Sequence, residues 1–382
     1  MKIAFIVGTF FPQAGGAQVQ AHNICNKLTE KNIDIDCYLF NKTNIKNNNY
    51  KIFLLSKFLT SLVYFFKFYL NLNINFILKY YLKKIIERNK YEFWHFIFLN
   101  HKCLILIDCL NQLNQKVFVT FQGADIQVDR DINYGFRINK KYDNYLRKIV
   151  NNVNHFFYIS KTIKKDLLNL KISENKMSYA PNSVEIEKFK KYHILKNANK
   201  RLNLITVARY SPQKKGYDIL LKICKELVNK QIDFEWKIIG KGTKKLLNES
   251  IIKSRPDSFK IIENIENFDE TYFPNSELIK HYISSDLYIN LSRIESFGIT
   301  FVESLASLVP IITFDTKGVN EIVKDNVNGF LIKNEEDLVK KVEEIYKTRD
   351  LINDMKDNLI DTIREYDLNL VTEKYKSLNY KF

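Results

Sequence analysis

Short apolar runs alternate along the chain with longer stretches in which apolar positions recur every three or four residues. The runs 3–8 (IAFIVG), 34–40 (DIDCYLF), 93–98 (FWHFIF), 116–121 (KVFVTF) and 155–159 (HFFYI) read as buried strands. The second half resumes the rhythm at 202–208, 234–240, 258–263, 286–291 and 309–314. Between them, Ala17–Lys31, Lys161–Leu170, Gly216–Lys230 and Thr300–Leu308 carry the helical period. Strand and helix alternating in units of ~30 residues predict parallel sheets covered by helices. The rhythm restarts near residue 201, after the polar stretch 190–200 (KKYHILKNANK), which reads as a linker. The expected fold class is therefore α/β, two Rossmann-like doubly wound domains facing across a cleft. In such sheets ligands sit outside the carboxyl ends of the strands.

Composition narrows this further. A chain of 382 residues suits two domains, and 46% hydrophobic with 27% charged residues is an ordinary globular mixture that excludes wholesale disorder. The five cysteines (Cys25, Cys37, Cys103, Cys109, Cys224) are scattered and form no CxxC pair, which argues against a disulfide framework or zinc cage and favours a reducing compartment. The opening apolar run is too short for a signal peptide. The most apolar later stretch, Phe58–Leu82, is broken by Lys67, Lys79 and several Asn, so a soluble, cytoplasmic protein is expected. The net charge of +16 is uneven: residues 1–200 hold 31 Lys and Arg against 14 Asp and Glu. Lys51–Lys90 is the densest part, with eight cations interleaved with aromatic residues. Such a stretch can lie on an anionic membrane surface, bind nucleic acid, or be a core helix pair with solvated lysines. Lys greatly outnumbers Arg and no nucleic-acid motif occurs, so no nucleic-acid partner is expected.

Candidate chemistry falls in the loops after strands. Gly15-Gly16 closes the first such loop ahead of a helix, where a backbone can approach an anion or simply turn tightly. It is not a GxGxxG fingerprint, so hydride transfer has little support. Arg209 and Lys215 share one post-strand loop that opens a helix at Gly216; two cations so placed suit a diphosphate, or are a solvated loop ahead of a helix start. In Ser292–Pro310, Glu295 and Glu303 lie eight residues apart around a helix start at about Ile299. That puts them about 10 Å apart at ~1.5 Å rise per residue plus an extended lead-in, too far to share a proton. They can instead hold hydroxyls at two ends of an elongated ligand, with the N–H groups of Phe297, Gly298 and Ile299 on an anion between them. A sugar nucleotide has that layout. The other reading, a capped helix with surface glutamates, is weakened by the apolar neighbours Phe297, Phe301 and Leu305.

The Glu295-x7-Glu303 segment resembles the signature of the retaining glycosyltransferases of family 4, which have the GT-B fold. Other pieces follow in that family's order: Gly15-Gly16; Tyr158-Ile159-Ser160 with helix Lys161–Leu170; Ala180-Pro181-Asn182-Ser183-Val184; Ala208-Arg209 with Lys215-Gly216; Gly240-Lys241-Gly242; and Gly318 to Ile322 with Asn328 to Leu331. The resemblance implies Arg209 and Lys215 on the donor diphosphate, Glu295 on the transferred sugar, Glu303 on the ribose, and Gly240 in a donor-side turn. It implies His95, at a strand end, near the acceptor, and Gln122 and Asp125 in a segment similar to His-Gly-x-Asp. Gln122 stands where His is common, and Gln takes no proton at neutral pH. A core histidine is the other reading of His95. Residues 1–192, completed by a C-terminal helix at about 367–382, are expected to bind the acceptor, and 200–366 the nucleotide sugar. Base and sugar contacts are expected around Glu263–Phe268 and Gly240–Thr243. The implied reaction is a metal-independent, retaining hexosyl transfer without cofactor, from a nucleotide-diphosphate sugar to a glycan or lipid-linked acceptor in bacterial surface polysaccharide assembly. Retention without an evident nucleophile implies front-side attack, and the basic first half implies peripheral association with an anionic inner membrane face. The alternatives are a non-catalytic GT-B partner or chaperone subunit and, with less support, a nucleic-acid-binding protein.

Overall fold

A computed structural model describes residues 1–11, 15–193, 201–263, 265, 269–316 and 318–377. The chain divides into two compact units: residues 1–182 with the segments 268–272 and 371–382, and residues 183–267 with 273–370. The stretch read as a linker begins inside a short helix, Ile186–Lys190, and from residue 194 to 200 lies outside the described residues.

In the first unit, β1 (Lys2–Val7), β2 (Asp34–Leu39), β3 (Lys51–Leu54), β4 (Phe93–Ile97), β5 (Val117–Thr120), β6 (His155–Tyr158) and β7 (Met177–Tyr179) form a sheet ordered β3-β2-β1-β4-β5-β6-β7. Every pairing is parallel. Parallel strands need covering helices on both faces, which is why β1, β4 and β5 are apolar almost throughout rather than alternating. The helices include α1 (Gly16–Glu30), α2 (Lys57–Tyr69), α3 (Asn75–Asn89), α4 (His101–Gln112), α5 (Lys140–Val150) and α6 (Lys161–Asn169). The last helix of the chain, Leu368–Ser377, completes this core: Tyr375 stacks on Phe157 with ring centroids 4.3 Å apart, and Glu373 pairs with Lys31 at 2.6 Å. The segment 269–272 docks on α1, where the buried His22 and Asn26 side chains meet the Thr271 carbonyl and Lys27 lies 5.0 Å over the Tyr272 ring.

The second unit repeats the plan. β8 (Leu202–Val207), β9 (Phe234–Ile239), β10 (Phe259–Ile262), β11 (Leu287–Asn290), β12 (Ile311–Phe314) and β13 (Gly329–Ile332) form a parallel sheet ordered β10-β9-β8-β11-β12-β13. Its core gathers Leu204, Trp236, Ile238, Leu287 and Ile289 of the strands against Tyr217, Leu220, Ile223 and Leu227 of helix Tyr217–Asn229. In both sheets the winding reverses beside the first strand, between β1 and β4 and between β8 and β11. That reversal separates the loops after the two strands and leaves a crevice for ligands.

Ten strands match the predicted runs. The three the pattern did not show, β3, β7 and β13, all lie at sheet edges, where one side lacks a neighbouring strand and short segments suffice.

Candidate functional site

The second unit concentrates the predicted donor residues at its switch point. Arg209 and Lys215 lie in the loop after β8, and Glu295 in the loop after β11, the strand paired to β8. The first loop is tight: Pro212–Lys215 form one helical turn, and Gly216 turns the chain with φ +67° into helix Tyr217–Asn229. A Cβ at Gly216 would stand 2.2 Å from the Leu291 carbonyl oxygen, so only glycine lets this loop lie against the end of β11. Gly240, just past β9, is constrained in the same way, since its Cβ would meet the Ala208 carbonyl at 2.1 Å. The Tyr217 hydroxyl donates to that carbonyl at 2.6 Å.

Lys215 Nζ and Glu295 Oε1 form an ion pair at 2.5 Å. Glu295 is buried, which pushes its carboxyl up, but the charge and hydrogen bond of Lys215 and the charge of Lys214 outweigh this and hold it below the ordinary range. Lys214 itself is pushed down to about 8, chiefly by burial and then by the charges of Lys215 and Arg209, while Glu295 opposes the shift. Arg209 is exposed, with no hydrogen bond or ion pair to any described residue. Lys215 and Lys214 thus face one carboxylate, and Arg209 stands near enough to Lys214 to lower it. The surplus positive charge is what a diphosphate would neutralise.

Past Glu295 the chain turns at Phe297 and Gly298, which caps helix Ile299–Ala306. Phe297 is buried and meets the Tyr366 ring edge-on at 5.7 Å, which fixes the approach to the helix. The turn is braced beneath by polar contacts: Asn290 Oδ1 accepts from the Ser292 N–H (3.0 Å), and the Tyr288 hydroxyl donates to Thr300 Oγ1 (2.7 Å). Glu303, in the second turn of the helix, is buried and accepts from the Tyr282 hydroxyl at 3.0 Å. Burial pushes its carboxyl up to about 7.

One residue that the sequence reading passed over ties these pieces together. Arg293, two positions before Glu295, donates through Nη1 to the carbonyls of Pro212 (3.2 Å) and Gln213 (2.7 Å) and, with Nη2, to both oxygens of Asp218 (2.9 and 2.6 Å). Its backbone N–H donates to the Lys214 carbonyl at 3.0 Å. The cationic loop is therefore clamped to the Glu295 loop by a single guanidinium. A lone Arg reads as a solvated charge, and its partner Asp218 lies 75 residues away. The turn Gly240–Thr243 is likewise held by Glu263, whose two oxygens accept from the N–H groups of Gly242 (2.9 Å) and Lys244 (3.0 Å). Of the expected base- and sugar-contacting loop, Asn264 and 266–268 lie outside the described residues.

In the first unit, Gly15 caps α1, and its N–H donates to Gln18 Oε1 (2.8 Å), whose amide donates to Thr9 (2.7 Å). Gly16 begins the helix. His95 lies in the middle of β4 rather than at a strand end. Its ring is enclosed by Phe5, Phe157 and Tyr375, Nε2 meets Thr120 Oγ1 at 2.8 Å, and Nδ1 has no partner. Burial, aided by His155, pushes it down to about 3, so it is a neutral core imidazole. Asp125 is also fully buried and accepts from the N–H groups of Leu99 (3.0 Å), Gln122 (3.0 Å) and Gly123 (2.8 Å). Burial still carries it up to about 6. It anchors the turn after β5, while the Gln122 amide pairs reciprocally with that of Asn182, both bonds 3.1 Å. These three residues are therefore not gathered at one open surface. Among the described residues no group of three or more His, Cys, Asp or Glu could hold a metal.

Two parallel-sheet α/β units with loops converging at the switch point define a GT-B fold. The chain belongs to the family 4 glycosyltransferases: the Glycosyltransferase Family 4 model matches residues 14–188, and that of the glycosyl transferases group 1 matches 187–362. A 41.2 kDa uncharacterized protein from the cps region of Klebsiella pneumoniae is 29% identical over 181 residues, 45% of each chain, so the match spans about half of that relative. An uncharacterized glycosyltransferase of Methanocaldococcus jannaschii is 25% identical over 355 residues, covering 91% of this chain and 90% of its own. The crystal structure of Anabaena HepE in complex with UDP shares the fold, with a TM-score of 0.74 at 14% identity over 100% of both chains.

Proposed function

We propose that this chain is a retaining, metal-independent hexosyltransferase that moves a sugar from a nucleotide-diphosphate donor to a glycan or lipid-linked acceptor in bacterial surface polysaccharide or glycoconjugate assembly. The observation that carries this reading is the meeting of Lys214 and Lys215 with Glu295, beside Arg209, where the second sheet reverses. HepE, of the same fold, binds UDP, which supports a nucleotide donor. In the proposed complex Arg209 and Lys215 take the diphosphate, with the N–H groups of Phe297, Gly298 and Ile299 beside them. Glu295, released from Lys215 as the phosphate enters, accepts from a hydroxyl of the transferred sugar. Glu303 accepts from the ribose, and Gly240 lines the donor turn.

For the chemical step, the acceptor oxygen bonds to the anomeric carbon on the face that the diphosphate leaves. The carbon–oxygen bond to phosphate breaks, and the acceptor proton passes to the departing phosphate oxygen. The cations stabilise the negative charge that builds there, a role in which removing one group costs two to three orders of magnitude in rate.

A panel of nucleotide sugars tested by thermal shift, with products followed by mass spectrometry, tests the proposal. One donor should stabilise the protein and be consumed, and Lys215→Ala and Glu295→Ala should each lower turnover by about 100-fold or more with an unchanged circular-dichroism spectrum. Donor binding without transfer to any acceptor would favour a non-catalytic partner subunit. Wild-type turnover in both variants would overturn the site assignment.

A further inference from the structure

The first unit carries an apolar face that the described residues leave uncovered. On α2, Phe58, Phe65 and Tyr69 fall at intervals of seven and four residues, hence on one side of the helix, opposite the buried Thr60 and Val63. They are 73%, 49% and 66% exposed. On α3, Phe76 and Tyr80, four apart, are 64% and 65% exposed, opposite the buried Leu78 and Leu82. Leu70 and Leu72, in the connection between these helices, are about half exposed. Seven large apolar side chains within 23 residues form a patch that monomeric surfaces rarely present without a partner.

The charge around the patch selects the partner. Residues 51–90 contain eight Lys and Arg against the single acid Glu87. Glu87 lies 3.8 Å from Lys83, whereas Lys84, Arg88 and Lys90 have no acidic partner among the described residues. Lys84 lies 4.4 Å over the Tyr80 ring, so cation and aromatic form one surface. At the far end of α2 a cavity of about 310 Å³, walled by Tyr64, Phe68 and Tyr69 and by His101, is rimmed by Lys140 and Lys141. A second copy of the chain would bring a face of the same sign against this one and be repelled. An anionic bilayer is complementary in both respects: rings enter the headgroup boundary while lysines meet lipid phosphates. No described helix is long and apolar enough to cross a membrane.

We infer that the α2–α3 face is a membrane-docking surface for anionic phospholipid, with Phe58, Phe65, Tyr69, Phe76 and Tyr80 entering the interface. The inference deepens the proposed lipid-linked acceptor, because it holds the acceptor-binding unit at the surface where such an acceptor resides. The full chain should co-sediment with vesicles of phosphatidylcholine and phosphatidylglycerol, bind phosphatidylcholine vesicles at least tenfold more weakly, and be released in part by salt. The triple variant Phe58→Ser, Phe65→Ser, Phe76→Ser should lose about tenfold or more in vesicle affinity. The exposed pair Lys84→Glu, Arg88→Glu, which removes only the surface contact of Lys84 on Tyr80, should lose the preference for anionic lipid. Both variants should keep the nucleotide-induced thermal shift. Absence of wild-type binding to anionic vesicles, or undiminished binding by the charge pair, overturns the inference. So does a wild-type dimer in light scattering that the triple variant dissolves, since the face would then belong to a second copy. Failure of every nucleotide to bind, with vesicle binding intact, would instead sink the donor reading alone.

Discussion

Glu303 and Lys214 titrate from opposite sides of neutrality, one raised to about 7 and the other lowered to about 8, both chiefly by burial. Their functional signs follow. On the proposed reading, Glu303 becomes the charged, stronger acceptor for ribose hydroxyls as pH rises through about 7, and Lys214 loses its charge beside the diphosphate as pH rises through about 8. Donor affinity should therefore peak between these values. Titration calorimetry across pH 5–10 should show both limbs, Glu303→Gln removing the acidic one and Lys214→Arg the alkaline one; a flat profile in the wild type would contradict both assignments. For the fold the Glu303 sign is reversed. A carboxyl whose native value is raised stabilises below its unfolded value and loses that contribution as pH rises through about 7, so Glu303→Gln should be the more stable protein at pH 8 and lose that advantage at pH 4.

At the scale of elements, most of the strands that the sequence revealed are enclosed, although the half-exposed edge strand β10 was also found and the largely buried β13 was not. β1 and β4 announce themselves because every residue from Ile3 to Val7 and Phe93 to Ile97 is enclosed. β3 has two exposed apolar residues and a lysine, and β7 is three half-buried residues, so neither leaves a periodic trace. The site was legible in the same uneven way. Spacing brought out Arg209, Lys215 and Glu295 in loops after strands and Glu303 in the helix that follows, but a clamp between distant segments leaves no local pattern. Arg293 is that clamp. Arg293→Ala removes contacts at a largely exposed site, where ion pairs contribute about 0–1 kcal/mol to stability. It should therefore barely move the melting temperature while raising the donor KM about tenfold or more, because the cationic loop loses its seat. Arg293→Lys should not rescue this, since an ammonium cannot span Asp218 and two carbonyls at once. An unchanged KM in Arg293→Ala would make the clamp merely structural.

For the molecule as a whole, the two units divide charge as they divide sequence: nearly all the excess cations lie in residues 1–200, and the rest of the chain is close to balance. The sequence alone could not show that His95 would be walled in, because its neighbour Tyr375 arrives from the last helix, 280 residues later, to close over it. In the second unit the late contribution, Tyr366 against Phe297, meets the turn before the helix rather than the charged groups. The account rests on that unit's cationic loop gripping a pyrophosphate. Titration calorimetry of UDP and GDP into the full-length protein and Lys215→Ala measures this directly. At least one nucleoside diphosphate should bind the wild type at pH 7.5 and bind Lys215→Ala at least about tenfold more weakly, the loss of a charged hydrogen bond of 1.5–3 kcal/mol. Equal affinity for the two proteins, or no affinity of the wild type for either nucleotide, would contradict it.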